Sequence, residues 1–237
     1  MATTLTKGEV HVWCASLAGH SLQGSLLEGS LDMLSERERE RAARLRSRHD
    51  LEQFVGSHVL LRIILGRYLD IAPQELRFSY GAHGKPALAE PVENALRFNM
   101  SRSREFMLCA VAADVEVGID IEHVAPVFEV DHLAERFFSS LESNCIRPLS
   151  AREKSRAFLS YWVSKEAYVK ATGEGLSRPL NSFDISFSGT PALIGTEEKG
   201  IESSLWILKP LDGFCRHMAA LVAGANLGHV YRFWWPA

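Results

Sequence analysis

The stretch Val115-Glu116-Val117-Gly118-Ile119-Asp120-Ile121-Glu122 decides how the rest of the chain is read. Its valines and isoleucines alternate with Glu116, Gly118, Asp120 and Glu122, a period of two that predicts a strand with one apolar face. Asp120 and Glu122 then project from the other face, ~6–7 Å apart, beside a glycine that leaves room for a close neighbour. Two carboxylates on one face repel unless a proton or cation lies between them, and hard oxygen ligands suit Mg²⁺ or Mn²⁺. Taken alone, the same pattern also describes an edge strand with a solvated acidic face.

A second stretch bears on that choice. Ser150-Ala151-Arg152-Glu153 has the form of a capping box, and the helix it opens runs to about Thr172, where Gly173 supplies a stop. Trp162, Glu166 and Lys170 fall at i, i+4 and i+8, along one stripe, with Lys165 ~100° around the helix. A surface Glu166–Lys170 pair would contribute only a few tenths of a kcal/mol. A stripe carrying tryptophan faces a core or a cleft, however, and there Glu166 needs compensation. A metal shared with Asp120 and Glu122 would give it.

The 237 residues are enough for one large domain or two small ones, and 46% hydrophobic with 23% charged is an ordinary globular composition. A net charge of −3 argues against a dedicated nucleic-acid binder. Cys14, Cys109, Cys145 and Cys215 are scattered without zinc spacing, as expected of free, mostly buried thiols in a reducing cytosol. The N-terminus lacks the apolar core of a signal peptide, and no apolar run approaches the ~20 residues of a membrane span. The expectation is a cytoplasmic protein.

In the first half, Glu9 to Ala15 alternates as an opening strand. Ser35-Glu36-Arg37-Glu38 is a capping box whose helix carries Arg37, Arg39, Arg41, Arg44, Arg46 and Arg48. This is either a solvated helix of mixed charge or a positive wall for a phosphate-bearing ligand. Leu51 to Leu69 reads as a core helix with Arg62 and Arg67 reaching outward, and Leu76 to Tyr80 as a short strand. Gly81 to Pro86 reads as a loop that brings backbone N–H groups and Lys85 near a ligand. The polar run Asn99 to Ser103 precedes an apolar strand, Phe106 to Ala112, with nothing obvious to cap.

In the second half, Asp131 is expected to cap a short helix through Phe138, and Ser139-Ser140-Leu141-Glu142 to open another. Phe183 to Ser188, Ser204 to Leu208 and Met218 to Ala223 read as strands. The tail, Tyr231 to Pro236, reads as an aromatic segment packed on a domain surface. Gln53 to Gly66 and Ala157 to Lys170 echo one another, which suggests two similar lobes, residues 1–113 and 114–237.

Taken in order, Gly84-Lys85-Pro86, Phe98-Asn99-Met100-Ser101-Arg102-Ser103, Gly118-Ile119-Asp120-Ile121-Glu122, Arg136-Phe137-Phe138-Ser139 and Trp162-Val163-Ser164-Lys165-Glu166-Ala167-Tyr168-Val169-Lys170 make the chain resemble a 4′-phosphopantetheinyl transferase of the two-lobed surfactin-synthetase-activating type. The resemblance covers roughly residues 35 to 190. It implies an α+β fold of two similar α/β lobes related by a pseudo-twofold axis, with the active site at their interface. The implied reaction moves the phosphopantetheine arm of coenzyme A to a serine of an apo acyl, peptidyl or aryl carrier protein, a holo-carrier synthase activity. Mg²⁺, or Mn²⁺, would be held by Asp120, Glu122 and Glu166. Glu166, Asp120 and Lys170 are the implied catalytic residues, with Glu166 as base. Arg41, Lys85, Ser101, Arg102, Lys165 and Lys170 are the implied coenzyme A contacts, and Glu142 falls where the family has an important acid. The family usually has histidine where this chain has Arg102, and the positions near Gln53 and Ser57 are less basic than in common members. A monomer is implied, with no nucleic-acid or membrane partner.

Two other classes stay open on the sequence. Paired carboxylates with a lysine also describe metal-dependent nucleases and phosphohydrolases. In the nuclease pattern a lysine stands two residues after the second acid, whereas Glu122 is followed by His123 and Val124. The third reading is a non-catalytic module that binds carrier proteins.

Overall fold

The computed structural model describes residues 4–17, 29–92, 96–194, 203–214 and 216–235. Cys215, Pro236 and the first three residues of the N-terminus lie outside them. In chain order the described elements begin with β1 (Glu9–Ser16), α1 (Glu36–Ala43), α2 (Arg48–Leu69), β2 (Phe78–Tyr80), β3 (Pro86–Leu88), β4 (Arg97–Ser103), β5 (Phe106–Ala112) and β6 (Val117–His123). Then come α3 (Val130–Phe137), α4 (Ser140–Ile146), α5 (Ala151–Thr172), β7 (Asp184–Ser186), β8 (Ala192–Ile194), β9 (Trp206–Leu211), β10 (His217–Gly224) and β11 (His229–Trp234).

Two sheets stack through one apolar layer. The first has the order β11-β1-β5-β4 and the second β6-β10-β9. Strand alternation sends Val10, Val12, Leu108 and Ala110 inward to meet Val117, Ile119, Ile121 and Leu221, all fully excluded from solvent. The opposite face of the first sheet, with Trp13, Cys109 and Val111, packs on α2 through Leu61, Ile64 and Leu65. The opposite face of the second, with Ala220 and Val222, packs on α5 through Val163, Ala167 and Ala171. The layers therefore run helix, sheet, sheet, helix, an α+β architecture.

Gly118 explains how closely α5 lies on β6. A Cβ there would collide with the carbonyl oxygen of Ala167 and the amide nitrogen of Ala171, main-chain atoms that cannot swing away. The close neighbour for which this glycine leaves room is the helix itself. The edges of the two sheets also meet, β4 against β6, and side chains join them. Asn99 Oδ1 accepts from the Ile119 amide at 2.9 Å, and Ser103 Oγ accepts from the His123 amide at 3.0 Å. Thus β6 is an edge strand whose acidic face is covered by a helix and a neighbouring strand, and Asp120 is only 4% exposed.

The capping boxes at Ser35, Ser139 and Ser150 and the left-handed stop at Gly173 (φ +76°) form as the sequence predicts. Other expectations need correction. Arg62 does not reach outward: it is fully buried, 2.6 Å from Glu38, and donates to the Pro73 and Leu76 carbonyls at 2.9 Å. That pair fastens the arginine-bearing α1 to α2, because neither charge tolerates burial alone. Asp131 does not cap α3, whose N-cap is Glu129; it pairs instead with Lys154 at 2.6 Å. The aromatic tail is the strand β11, parallel to β1, so the last strand of the chain completes the first sheet. Cys14 and Cys109 are buried and Cys145 is exposed. Among the described residues no helix is long and apolar enough to cross a membrane.

Candidate active site

The acids of β6 meet the end of α5 across the β4 seam. Lys170 Nζ lies 2.6 Å from Asp120 Oδ1 and 3.0 Å from Ser101 Oγ, and the Ser101 hydroxyl donates to the same carboxylate oxygen at 2.7 Å. One turn back on α5, the Glu166 carboxyl is raised above its ordinary value, first by burial and then by the negative field of Asp120, with Lys170 drawing it back and Glu122 adding a smaller push upward. Burial also pushes Glu122 up, while the Ser103 hydroxyl, donating to it at 2.9 Å, pulls it back. Three carboxylates thus share one field, and Lys170 is the ammonium inside it.

Lys170 and Ser101 also line a cavity of about 740 Å³ between β4, α1 and α2. Its lining is rich in cations, with Arg37, Arg41 and Arg44 from α1 and its C-cap and Arg102 from β4 beside Tyr80, and it includes two acids of α1, Glu38 and Glu40. The Arg41 guanidinium lies 5.5 Å from the centroid of the Phe54 ring, on which the His58 imidazole stacks at 3.9 Å. Burial lowers His58 from its usual value against the Phe54 carbonyl and Glu38, and Arg41 and Arg102 press it further down, so both guanidiniums bear on one ring. A concave site with converging cations next to paired carboxylates fits an extended polyanion whose reacting phosphorus sits at the acidic end.

Two parts of the chain match families of known proteins. Residues 116–222 match the 4′-phosphopantetheinyl transferase superfamily, and residues 23–115 match the 4′-phosphopantetheinyl transferase N-terminal family. The chain is 36% identical over 235 residues to 4′-phosphopantetheinyl transferase HetI of Nostoc sp., across 98% of this chain and 94% of that protein. This chain belongs to the 4′-phosphopantetheinyl transferase family. It is also 30% identical over 158 residues to 4′-phosphopantetheinyl transferase Sfp of Bacillus subtilis, across 67% and 68% of the two chains. A crystal structure of holo-[acyl-carrier-protein] synthase from Thermotoga maritima superposes with a TM-score of 0.38 at 23% identity over 46% of this chain and 62% of that one, too partial a likeness to add to the argument.

Within this transferase, Arg41, Ser101, Arg102 and Lys170 come together around the cavity, and Asp120, Glu122 and Glu166 share a field at its edge. Two lysines do not join them. Lys85 turns its ammonium away, donating to the Ala171 carbonyl at 2.8 Å at the end of α5 and lining a separate cavity; of its loop, Gly84 and Pro86 line the arginine-walled one. Lys165 is fully buried on the far side of α5, 2.8 Å from Glu142 and donating to the Leu180 and Phe183 carbonyls at 2.8 and 2.5 Å. The ~100° between consecutive helical residues is what sends Lys165 into the core while Glu166 faces the acids. Glu142 is both the capping-box acid of α4 and the partner of Lys165; its other oxygen accepts from the Ile185 amide at 2.8 Å.

Sequence reasoning missed His58 and Tyr80 and gave the seam residues Asn99 and Ser103 no role beyond a polar run, while Arg37 was one of six arginines of a possible positive wall. The alternation of Asn99, Ser101 and Ser103 was the available signal: polar groups at every second position of a strand have one common target.

Among the described residues, no three carboxylates, histidines or cysteines converge as a ready-made metal cage. Asp120 Oδ2 and Glu166 Oε1 are nevertheless buried without a hydrogen-bond partner. Orphaned hard oxygens on two neighbouring acids fit a divalent cation by donor chemistry.

Proposed function

We propose that this chain moves the 4′-phosphopantetheine arm of coenzyme A onto a serine of an apo acyl, peptidyl or aryl carrier protein, as a monomer of the holo-carrier synthase type. The serine oxygen attacks the β-phosphorus, the bond from that phosphorus to the bridging oxygen breaks, and adenosine 3′,5′-bisphosphate leaves with the electron pair. The observation that carries the reading is Lys170, which lines the arginine-walled cavity and touches Asp120 at 2.6 Å. One side chain thereby links the place for a nucleotide phosphate to the place for the reacting pyrophosphate.

Arg41 and Arg102 bind the 3′-phosphate, Arg102 as a permanently charged, bidentate donor where the family usually has histidine. Lys170 stabilises charge developing on the leaving phosphate, and Ser101 holds Lys170 and Asp120 in register. Glu166 accepts the proton of the attacking serine; its elevated carboxyl brings it nearer the pH at which a general base works best. Asp120, Glu122 and Glu166 would hold Mg²⁺ or Mn²⁺, which offsets the charge of the pyrophosphate.

The test is incubation with coenzyme A, Mg²⁺ and several apo carrier proteins, followed by mass spectrometry. The expected result is a carrier heavier by one phosphopantetheine arm and one equivalent of adenosine 3′,5′-bisphosphate. Failure on every carrier, with coenzyme A still bound, would leave only a binding module.

A further inference from the structure

The loop between β2 and β3 is tied to the reacting helix from behind. Its turn closes on itself, the Gly84 amide donating to the Gly81 carbonyl at 2.9 Å and the Gly81 amide to the Lys85 carbonyl at 3.0 Å. Gly84 and Pro86 line the arginine-walled cavity, while the Lys85 side chain, 20% exposed, leaves on the opposite side. There it reaches the end of α5. An α-helix leaves its last four carbonyls without an intrahelical donor, and the negative end of its dipole favours a cation. Ala171, one residue before the end of α5, carries such a carbonyl, and Lys85 Nζ donates to it at 2.8 Å. The same ammonium lies 3.4 Å from the Val117 carbonyl at the start of β6 and 3.4 Å from Glu116, which Arg97 of β4 holds at 2.6 Å. The contact is wider than one side chain. A Cβ on Gly173 would stand 3.4 Å from Lys85 Cδ, and one on Gly175 would stand 3.4 Å from His83 Cβ, so the turn after α5 packs against the loop. His83 also bears electrostatically on Glu174 of that turn.

We infer that Lys85 is a positioning residue for the transfer: it locks the loop that seats the nucleotide to the last turn of α5, without touching coenzyme A itself. This rests on the transfer reading and adds to it a strut between the two ends of the substrate. Lys170, which touches Asp120 at 2.6 Å, is the residue before Ala171, so the carbonyl that Lys85 grips belongs to the turn that aims Lys170. The seat and the reacting lysine thereby keep one register. A lysine free to enter the cavity would serve as a point charge for phosphate. Here two carbonyls and a carboxylate already occupy the ammonium on the other side of the loop.

The test uses the full chain with Lys85→Met, Lys85→Arg and Glu116→Gln. It reads coenzyme A and dephospho-coenzyme A affinity at low and high salt, kcat on an apo carrier protein, and amide hydrogen exchange. Lys85→Met is expected to weaken both ligands by the same factor and to leave the salt dependence of binding unchanged, because the seat loses its shape while no phosphate loses a cation. Its kcat should fall about tenfold, part of the ~10²-fold that a 1 Å misplacement can cost. Exchange should quicken over residues 81–86 and 169–175 and stay as it was over α2. Lys85→Arg keeps a donor for the Ala171 carbonyl and should recover most of the lost kcat. Glu116→Gln loosens the strut from outside the site, so kcat falls and coenzyme A binds no tighter; this variant reads even if Lys85→Met loses stability. A lysine that serves the ligand would be released by the same change. Tighter coenzyme A binding in Glu116→Gln, a flatter salt dependence in Lys85→Met, or a normal kcat in Lys85→Met therefore overturns the inference. A wild type that modifies no carrier sinks the transfer reading instead, and the exchange and affinity comparisons then decide the strut by themselves.

Discussion

Two lysine–carboxylate pairs hang from the same helix five residues apart, and they are built to opposite ends. Lys165 and Glu142 are closed off: 0% and 1% of their side chains are exposed, and their remaining polar atoms are taken up by two carbonyls, the Ile185 amide and the cap of α4. Burial pushes Glu142 up and Lys165 down, and each opposes that shift in the other. Lys170 and Asp120 share the same chemistry at 2.6 Å, but 27% of Lys170 is exposed, Asp120 keeps an orphaned oxygen, and two further acids crowd the pair. The first pair leaves nothing for a ligand to satisfy. The second is held short of satisfaction, which is the condition for binding charge from outside.

The sharpest way to break that contrast is to cut the closed pair. Lys165→Met should lower stability by about 3–5 kcal/mol, because Glu142 is left charged in the core with two carbonyls uncovered. Transfer per folded molecule should persist. Denaturant unfolding beside active-site titration checks both, and a stable but inactive Lys165→Met would move this lysine back into the catalytic site.

Cutting the open pair should do the reverse. Asp120→Asn keeps the shape and an acceptor for Ser101, so the melting temperature should hold within about 4 °C, while transfer falls by about 10²–10³-fold. Normal turnover in this variant would remove Asp120 from the chemistry. Gly118→Ala should cost on both scales at once: main-chain atoms of α5 must retreat from the new methyl, a loss of about 1–3 kcal/mol, and Lys170 retreats with them. A melting curve and a kcat measured on the same sample would separate this from a purely local effect. Arg102→Ala should weaken coenzyme A binding about tenfold and leave dephospho-coenzyme A nearly untouched, since the 3′-phosphate is what the guanidinium holds. Equal losses for both ligands would place Arg102 elsewhere.

These contrasts also mark how far the sequence could be read. The strand read over 115–122 forms over 117–123, and the helix over 151–172 and the capping boxes form where local periodicity and turn chemistry place them. What local pattern cannot carry is which side of a helix a neighbour occupies. Lys165 and Glu166 are adjacent letters with opposite fates, settled by the distant Leu180–Phe183 segment on one side and β6 on the other. Arg62 was misread for the same reason, since its partner Glu38 lies in another helix. The tail's aromatic residues carried a strand signal, but its partner β1 lies at the far end of the chain, beyond any window of local pattern.

The smallest effect tests the open site most directly. Glu166 is a carboxyl raised above its ordinary value by burial and by Asp120, so its charged form is less stable in the folded chain than in the unfolded one. The sign follows: the penalty is absent below the unfolded value, grows as pH rises towards the folded value and is full above it. Ligand-free Glu166→Gln lacks the charge, so above the folded value it should melt a few degrees above the wild type, and the gap should narrow as pH falls through that raised value and vanish below the unfolded one. The same variant should lose transfer, stability rising as function falls. Mg²⁺ added to the free chain should raise the wild-type melting temperature more than that of Glu166→Gln, because the amide has lost the negative charge and one of the two hard oxygens that a carboxylate offers the ion. If Glu166→Gln melts lower at every pH, the carboxylate is satisfied in the folded chain by a group other than an incoming ligand, and the contrast between the two pairs of α5 disappears.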